Sequence, residues 1–245
     1  MPDVSGRRMA FIDFDGVICD SQTECFVSSA RAYYSEYRGN TGPAPGSREE
    51  SDFRRLRPFV RTGGDYLFVQ ACVEKGEPVR TQEEFDAVVA ADPAMAARYH
   101  TLFYRERSRL LAEEPDYWFS LNPLYSGMAD MLGRLGDDQD VFILSTKEPA
   151  FIGRILEFHG VHWDASRILC SGAGRKRSLI GTMLDGRRID TAIFIDDQPD
   201  HFRGKDGLDI QCFLAGWGYV LPEWLKDDSY TTITPVEAGR LLGAW

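Results

Sequence analysis

Two short acidic stretches carry the chemistry this chain could perform. Asp13-Phe14-Asp15 closes the apolar run Met9-Ala10-Phe11-Ile12, and Asp196-Asp197 closes Ile193-Phe194-Ile195. Carboxylates are hard oxygen donors of the kind Mg2+ takes, because that ion keeps several waters and uses few protein ligands. Alternate strand residues face one side, so Asp13 and Asp15 share a side if strand spacing continues, and Gly16 then lets the chain turn. Either pair alone reads equally as a helix cap or a solvated loop. Their shared position at the end of apolar runs argues for a common site.

Two weaker signals follow the same pattern. Ile143-Leu144-Ser145-Thr146-Lys147 ends a third apolar run in hydroxyls. Ser145 or Thr146 either holds an anion oxygen or caps the helix expected from Pro149. Arg175-Lys176-Arg177 opens another expected helix, where side-chain cations and free backbone N–H groups favour an anion. Lys176, just ahead of Leu179 and Ile180, is the one expected to point inward; the alternative is a solvated basic patch.

The elements that must position these residues alternate between strand and helix. Largely apolar runs predict buried strands at 9–12, 141–144, 168–170, 191–195 and 210–214, with helices at 125–135, 149–158, 176–184 and 235–242. That alternation is the signature of an α/β fold, a doubly wound, Rossmann-like parallel sheet whose strand carboxyl ends lie on one edge. Between the first strand and this series, the spacing predicts helix after helix: 23–37, 49–60, 65–74, 83–91 and 93–112. Thr81 with Glu84 forms a capping box, and Asp92 precedes a proline suited to the first helical position. The turn-rich stretch Gly39-Asn40-Thr41-Gly42-Pro43-Ala44-Pro45-Gly46-Ser47 interrupts the first two of these helices. The expected organisation is a core of 1–20 and 122–245 interrupted by an all-helical insert, 21–121.

Composition bounds the partners. The 245 residues include 43% hydrophobic ones, ample for a core, and 28 basic against 38 acidic residues give a net charge of -10. That balance argues against nucleic acid or an anionic membrane as a bulk partner. Five scattered cysteines, none in a C-x-x-C pair, suggest neither a disulfide framework nor a zinc site. With no signal-peptide core and no apolar run of about twenty residues, a soluble, cytoplasmic protein is expected. Oligomeric state leaves no mark on the sequence.

The motifs in this order resemble those of the haloacid dehalogenase-like superfamily, specifically its phosphatases with a helical cap inserted after the first strand. The resemblance runs through Asp13-Phe14-Asp15-Gly16-Val17 with Asp20-Ser21, then Ser145, then Lys176, then Asp196-Asp197 with Asp200 following. Gly216-Trp217-Gly218-Tyr219 resembles a loop common in the capped members. The resemblance implies an Mg2+-dependent phosphatase acting on a small phosphorylated metabolite, with Asp13 as nucleophile and Asp15 as acid and base. It implies Asp13, the Asp15 backbone carbonyl and Asp196 around the metal, Asp196 foremost, with Asp197 a second ligand or an orienting residue. Ser145 and Lys176 would hold phosphoryl oxygens, with Gly16 and Thr146 also at the substrate. A phosphomutase or other phosphotransferase would use the same residues, and a regulatory protein of this fold without turnover is the alternative from another class.

The insert is expected to set the substrate. Arg57 and Arg61, flanking Pro58-Phe59-Val60, either contact a second anionic group or are solvated and paired locally. Among the histidines, His159 and His162 read as loop residues, and His201 lies near the fourth motif. The aromatic series Phe26, Tyr33, Tyr34 and Tyr37 reads as core. No glycine-rich nucleotide motif is present.

Overall fold

The computed structural model describes residues 7–172, 174–204 and 207–245. Its contacts divide the chain into two compact units: Met1–Asp20 with Leu124–Trp245, and Ser21–Pro123.

The first unit is built on six parallel strands, β1 (Arg8–Ile12), β2 (Val141–Ser145), β3 (Ile168–Cys170), β4 (Thr191–Asp196), β5 (Ile210–Ala215) and β6 (Thr231–Ile233). They lie in the order β3-β2-β1-β4-β5-β6. The order reverses between β1 and β4, and ligands of open parallel sheets bind outside the strand carboxyl ends at such a reversal. Register puts Ile12 opposite Ile195, so the two acidic stretches leave the sheet side by side. Both central strands are buried throughout their apolar residues because helices must cover both faces of a parallel sheet. Met9, Phe11, Phe142, Leu144, Phe194 and Ile180 form one continuous cluster, with the Phe11 and Phe142 rings stacked at 5.6 Å. Each such side chain contributes about 1.5–3 kcal/mol on burial. They hold β1, β2 and β4 in fixed register, and with them the strand ends.

The helices between these strands are α7 (Met128–Leu135), α8 (Pro149–Phe158) and α9 (Lys176–Leu184), and α10 (Pro235–Leu241) follows the last strand. The sequence predicts α7 from residue 125, but the helix starts three residues later because Gly127 adopts φ +81°, outside helical space. β6 is too short and too polar, Thr-Thr-Ile, to be recognised from its pattern. A capping box of Thr234 with Glu237 starts α10.

The second unit is helical: α1 (Gln22–Arg38), α2 (Arg48–Leu56), α3 (Asp65–Lys75), α4 (Gln82–Ala90), α5 (Pro93–Glu113) and α6 (Pro115–Ser120). The expected helix 49–60 stops at Leu56 and continues as a 3₁₀ turn, Arg57–Phe59, where Pro58 has no N–H to donate. Thr81 and Glu84 make the predicted capping box, and Asp92 accepts from the Met95 N–H. α1 packs on α3 and α5. Within that packing Glu24 and Arg107 form a buried ion pair, 2.6 Å at its closest. The Trp118 indole and Ser28 hydroxyl also donate to Glu24. Among the described residues, no helix is long and apolar enough to cross a membrane.

Candidate active site

The chain leaves β1 through Asp13, whose N–H still bonds the Ile195 carbonyl at 2.9 Å and whose Oδ1 accepts the Phe14 N–H at 2.7 Å. Both bonds fix the carboxylate at the sheet edge. The chain then reverses tightly, with Ile18 and Cys19 N–H groups on the Phe14 carbonyl. Gly16 makes the reversal possible at φ +90°, and a Cβ there would fall 2.1 Å from Asp197 Oδ2. Only glycine lets the two acidic stretches approach this closely.

Asp13, Asp196 and Asp197 are all buried and offer ligand oxygens within 4.8 Å of one another. Three convergent carboxylates are hard oxygen donors of the kind Mg2+ takes, and the one imidazole beside them among the described residues, His201, has its Nδ1 engaged on Asp196 Oδ2 at 2.8 Å. The Asp15 side chain lies outside this cluster and pairs with Lys147 at 2.7 Å.

Lys176 stands between two of the acids, 2.7 Å from Asp13 Oδ1 and 2.8 Å from Asp196 Oδ2. It opens α9, and its neighbours explain why it is the inward member of its basic triplet. Arg175 is exposed, while Arg177 is buried against the Phe202 and Leu208 carbonyls. Burial alone would discharge Lys176, but Asp13 and Asp196 outweigh it and hold the ammonium above the ordinary lysine range. Burial likewise opposes ionisation of Asp196, yet His201 and Lys176 overcome it and hold that carboxyl below the usual range. Asp13 is less well compensated. Burial, with a smaller push from Asp196, lifts it to about 6 against the opposing attraction of Lys176. The cluster therefore carries more negative charge than one lysine neutralises, which is the condition a cation relieves.

Ser145 ends β2, buried at the same edge, and its hydroxyl accepts the Lys147 N–H at 3.2 Å. The capping alternative for Ser145 and Thr146 does not hold, because α8 is preceded by Glu148 and has no side-chain cap. Thr146 is half-buried, its carbonyl facing the Cys170 thiol. Arg57 and Arg61 belong to the helical unit and are engaged inside it. The Arg57 guanidinium lies over the Tyr66 ring at 5.5 Å, and Arg61 donates to the Pro58 carbonyl at 2.7 Å and to Gln82 at 2.6 Å.

Three neighbours of the acids lie in stretches whose part at the site the sequence does not specify: Lys147 after Ser145, His201 near the fourth motif, and the loop Gly216-Trp217-Gly218-Tyr219. Lys147 could have been found, since it lies two residues beyond Ser145 and so on the same side of an extended chain. His201, with Nδ1 2.8 Å from Asp196 Oδ2, sits on a 3₁₀ turn whose geometry no periodicity reveals. The loop after β5 contributes one backbone N–H and one indole. The Tyr219 N–H bonds Asp197 Oδ2 at 2.8 Å, and the Trp217 indole bonds the Val17 carbonyl at 2.9 Å.

No protein-family model matches the sequence, and no curated protein does. Solved structures do match across the whole chain. A predicted phosphatase from Clostridium acetobutylicum is 17% identical, with TM-score 0.57 over 98% of this chain and 99% of that one. A haloacid dehalogenase-like family hydrolase from Streptococcus pneumoniae is 18% identical, with TM-score 0.57 over 98% and 99%. Protein tyrosine kinase A of Mycobacterium tuberculosis is 16% identical, with TM-score 0.57 over 98% and 100%. One fold thus carries different names, and identities this low speak to fold alone. The chain has the α/β Rossmann-like fold of the haloacid dehalogenase-like hydrolases.

Proposed function

We propose that this chain is an Mg2+-dependent phosphatase that hydrolyses a small phosphomonoester through an aspartyl-phosphate on Asp13. The observation that carries the reading is Lys176 bridging Asp13 and Asp196 beside Asp197, at the sheet's reversal point. Phosphatases among the structural neighbours support the reaction class.

Asp13, Asp196, Asp197 and the Asp15 carbonyl would hold Mg2+, which when bound would offset the repulsion between these carboxylates and a phosphate. Asp13 attacks phosphorus in line, forming the carboxyl O–P bond as the ester P–O bond breaks. Asp15 delivers a proton to the departing alkoxide, then takes one from the water that attacks the acyl phosphate. Inorganic phosphate leaves and Asp13 is restored. Lys176 and the Ser145 hydroxyl, with Gly16 and Thr146 beside them, contact the transferring group, mostly a matter of positioning and charge stabilisation. We assign selection of the leaving group to the helical unit Ser21–Pro123, within which Arg57 lies over Tyr66 and Arg61 donates to Pro58 and Gln82.

The test is phosphate release from a broad panel of phosphomonoesters with and without Mg2+. Release should need the metal and vanish in Asp13→Asn while the protein stays folded. No release across the panel, or undiminished release by Asp13→Asn, would overturn the reading. Phosphate appearing on a second metabolite instead of in solution would identify a phosphotransferase using the same residues.

A further inference from the structure

The Lys147 ammonium is buried, its side chain 3% exposed, and its Nζ lies 2.7 Å from Asp15 Oδ1. A lysine charge withdrawn from water needs a close counter-charge, and a contact this short is a charge-assisted hydrogen bond. The Phe14 ring, between the two aspartates in sequence, lies 5.4 Å from the same Nζ and adds a favourable face. The lysine's own backbone is anchored too, its N–H on Ser145 Oγ at 3.2 Å. Asp13 meanwhile takes a different cation, Lys176. Two aspartates only two residues apart thus each have a lysine from a separate element, Lys147 from the end of β2 and Lys176 from the start of α9.

We propose that Lys147 is a positioning residue that fixes the orientation of the Asp15 carboxylate for its acid and base steps. The inference rests on the phosphatase reading above. An aspartate turns about two side-chain bonds, and proton transfer demands that its oxygen stay within hydrogen-bond reach of the leaving-group oxygen and then of the attacking water. A buried ammonium on Oδ1 removes that freedom. Lys147 acts through Asp15, whereas Lys176, on the nucleophile, acts at the transferring group.

The test is a double-mutant cycle of Lys147→Met with Asp15→Asn, assayed on an alkyl and an aryl phosphate. Lys147→Met keeps the stem's packing and should lower kcat on the alkyl phosphate about 10²-fold, the scale of a small misplacement, with little change in KM. The loss should be smaller on the aryl phosphate, whose leaving group needs less protonation, and that substrate keeps the Asp15→Asn background measurable. In that background Lys147→Met should add nothing further, because the group it orients is already gone. Lys147→Arg, which retains the cation, should recover part of the rate, and it carries the cycle together with Lys147→Gln if Lys147→Met does not fold.

Additive losses, or a raised KM with kcat preserved, would mean that Lys147 binds substrate directly and would overturn the inference while leaving the phosphatase reading standing. A wild-type protein inactive on both esters and on the wider panel would sink both.

Discussion

Gly218 approaches Asp197 so closely that a Cβ on the glycine would lie 2.4 Å from the Asp197 Cβ and 2.5 Å from the Gly16 carbonyl oxygen. No rotamer change relieves a clash with a backbone oxygen, so Gly218→Ala must push the loop after β5 away from the acids. The cost should be about 1–3 kcal/mol in stability. Activity should fall further, on the order of 10²-fold, because the Tyr219 N–H that holds Asp197 moves with the loop. Gly133, in α7, is the control, since a Cβ there meets nothing within 4 Å. Gly133→Ala should be neutral or stabilise by up to about 1 kcal/mol. Urea midpoints and initial rates of the two variants check this, and a Gly218→Ala protein with wild-type rate would refute it.

Metal binding should be visible without turnover. Asp13, Asp196 and Asp197 converge with more negative charge than Lys176 offsets, so Mg2+ should raise the thermal midpoint and EDTA should reverse the rise. At 100 times its dissociation constant a ligand of the folded state adds about 2.7 kcal/mol. Asp197→Asn should remove the Mg2+-induced shift while leaving the fold intact. An unchanged shift in that variant would move the metal elsewhere.

The ion pair within the helical unit makes a prediction about stability alone. Glu24 accepts from Arg107 at 2.9 and 2.6 Å, from the Trp118 indole at 3.0 Å and from Ser28 at 2.6 Å, with no exposed surface on the glutamate. Arg107→Met strands a buried carboxylate and should cost about 3–5 kcal/mol in urea unfolding. Glu24→Gln combined with Arg107→Met should restore much of it, because no unpaired charge remains. A double variant as unstable as Arg107→Met alone would show that shape rather than charge governs this core.

What the sequence made legible follows from which interactions are local. Apolar runs located β1, β2 and β4, and their common carboxyl edge explains why Asp13 and Asp196, far apart in the chain, meet. Lys176 was legible because Leu179 and Ile180 fix which side of α9 faces inward. β6 and α6 were not: Thr-Thr-Ile of β6 lacks the apolar run that marks the equally short β3, and the six residues of α6 are too few to display a helical period. Lys147 and His201 were named without a role for another reason. Lys147 shares a side with Ser145 in an extended chain, but its partner Asp15 lies 132 residues away across the sheet register, and His201 reaches Asp196, 5 residues back, through a 3₁₀ turn that no local pattern encodes. The backbone N–H of Tyr219 is invisible to side-chain reading altogether.

Glu50 links pH to the stability of the helical unit. It follows the N-cap Ser47 by three residues, in the first turn of α2, where the helix dipole favours its charge. Its carboxylate accepts from the Gly46 N–H at 2.7 Å, from Thr23 at 3.0 Å and from Arg54 at 2.8 Å. Burial opposes ionisation, but these hydrogen bonds outweigh it and hold the carboxyl below its ordinary value of 4.5. A folded-state value below the unfolded one means that the ionised form favours folding. The contribution is therefore complete above about 4.5 and is lost as pH falls through the lowered folded-state value. Glu50→Gln should cost about 1.5–3 kcal/mol near neutrality, the range for hydrogen bonds to a charged group. That deficit should shrink as unfolding is measured at progressively lower pH, because the wild-type glutamate protonates and comes to resemble the glutamine. A deficit constant from neutral to acid pH would show that the hydrogen bonds to Glu50 do not depend on its charge.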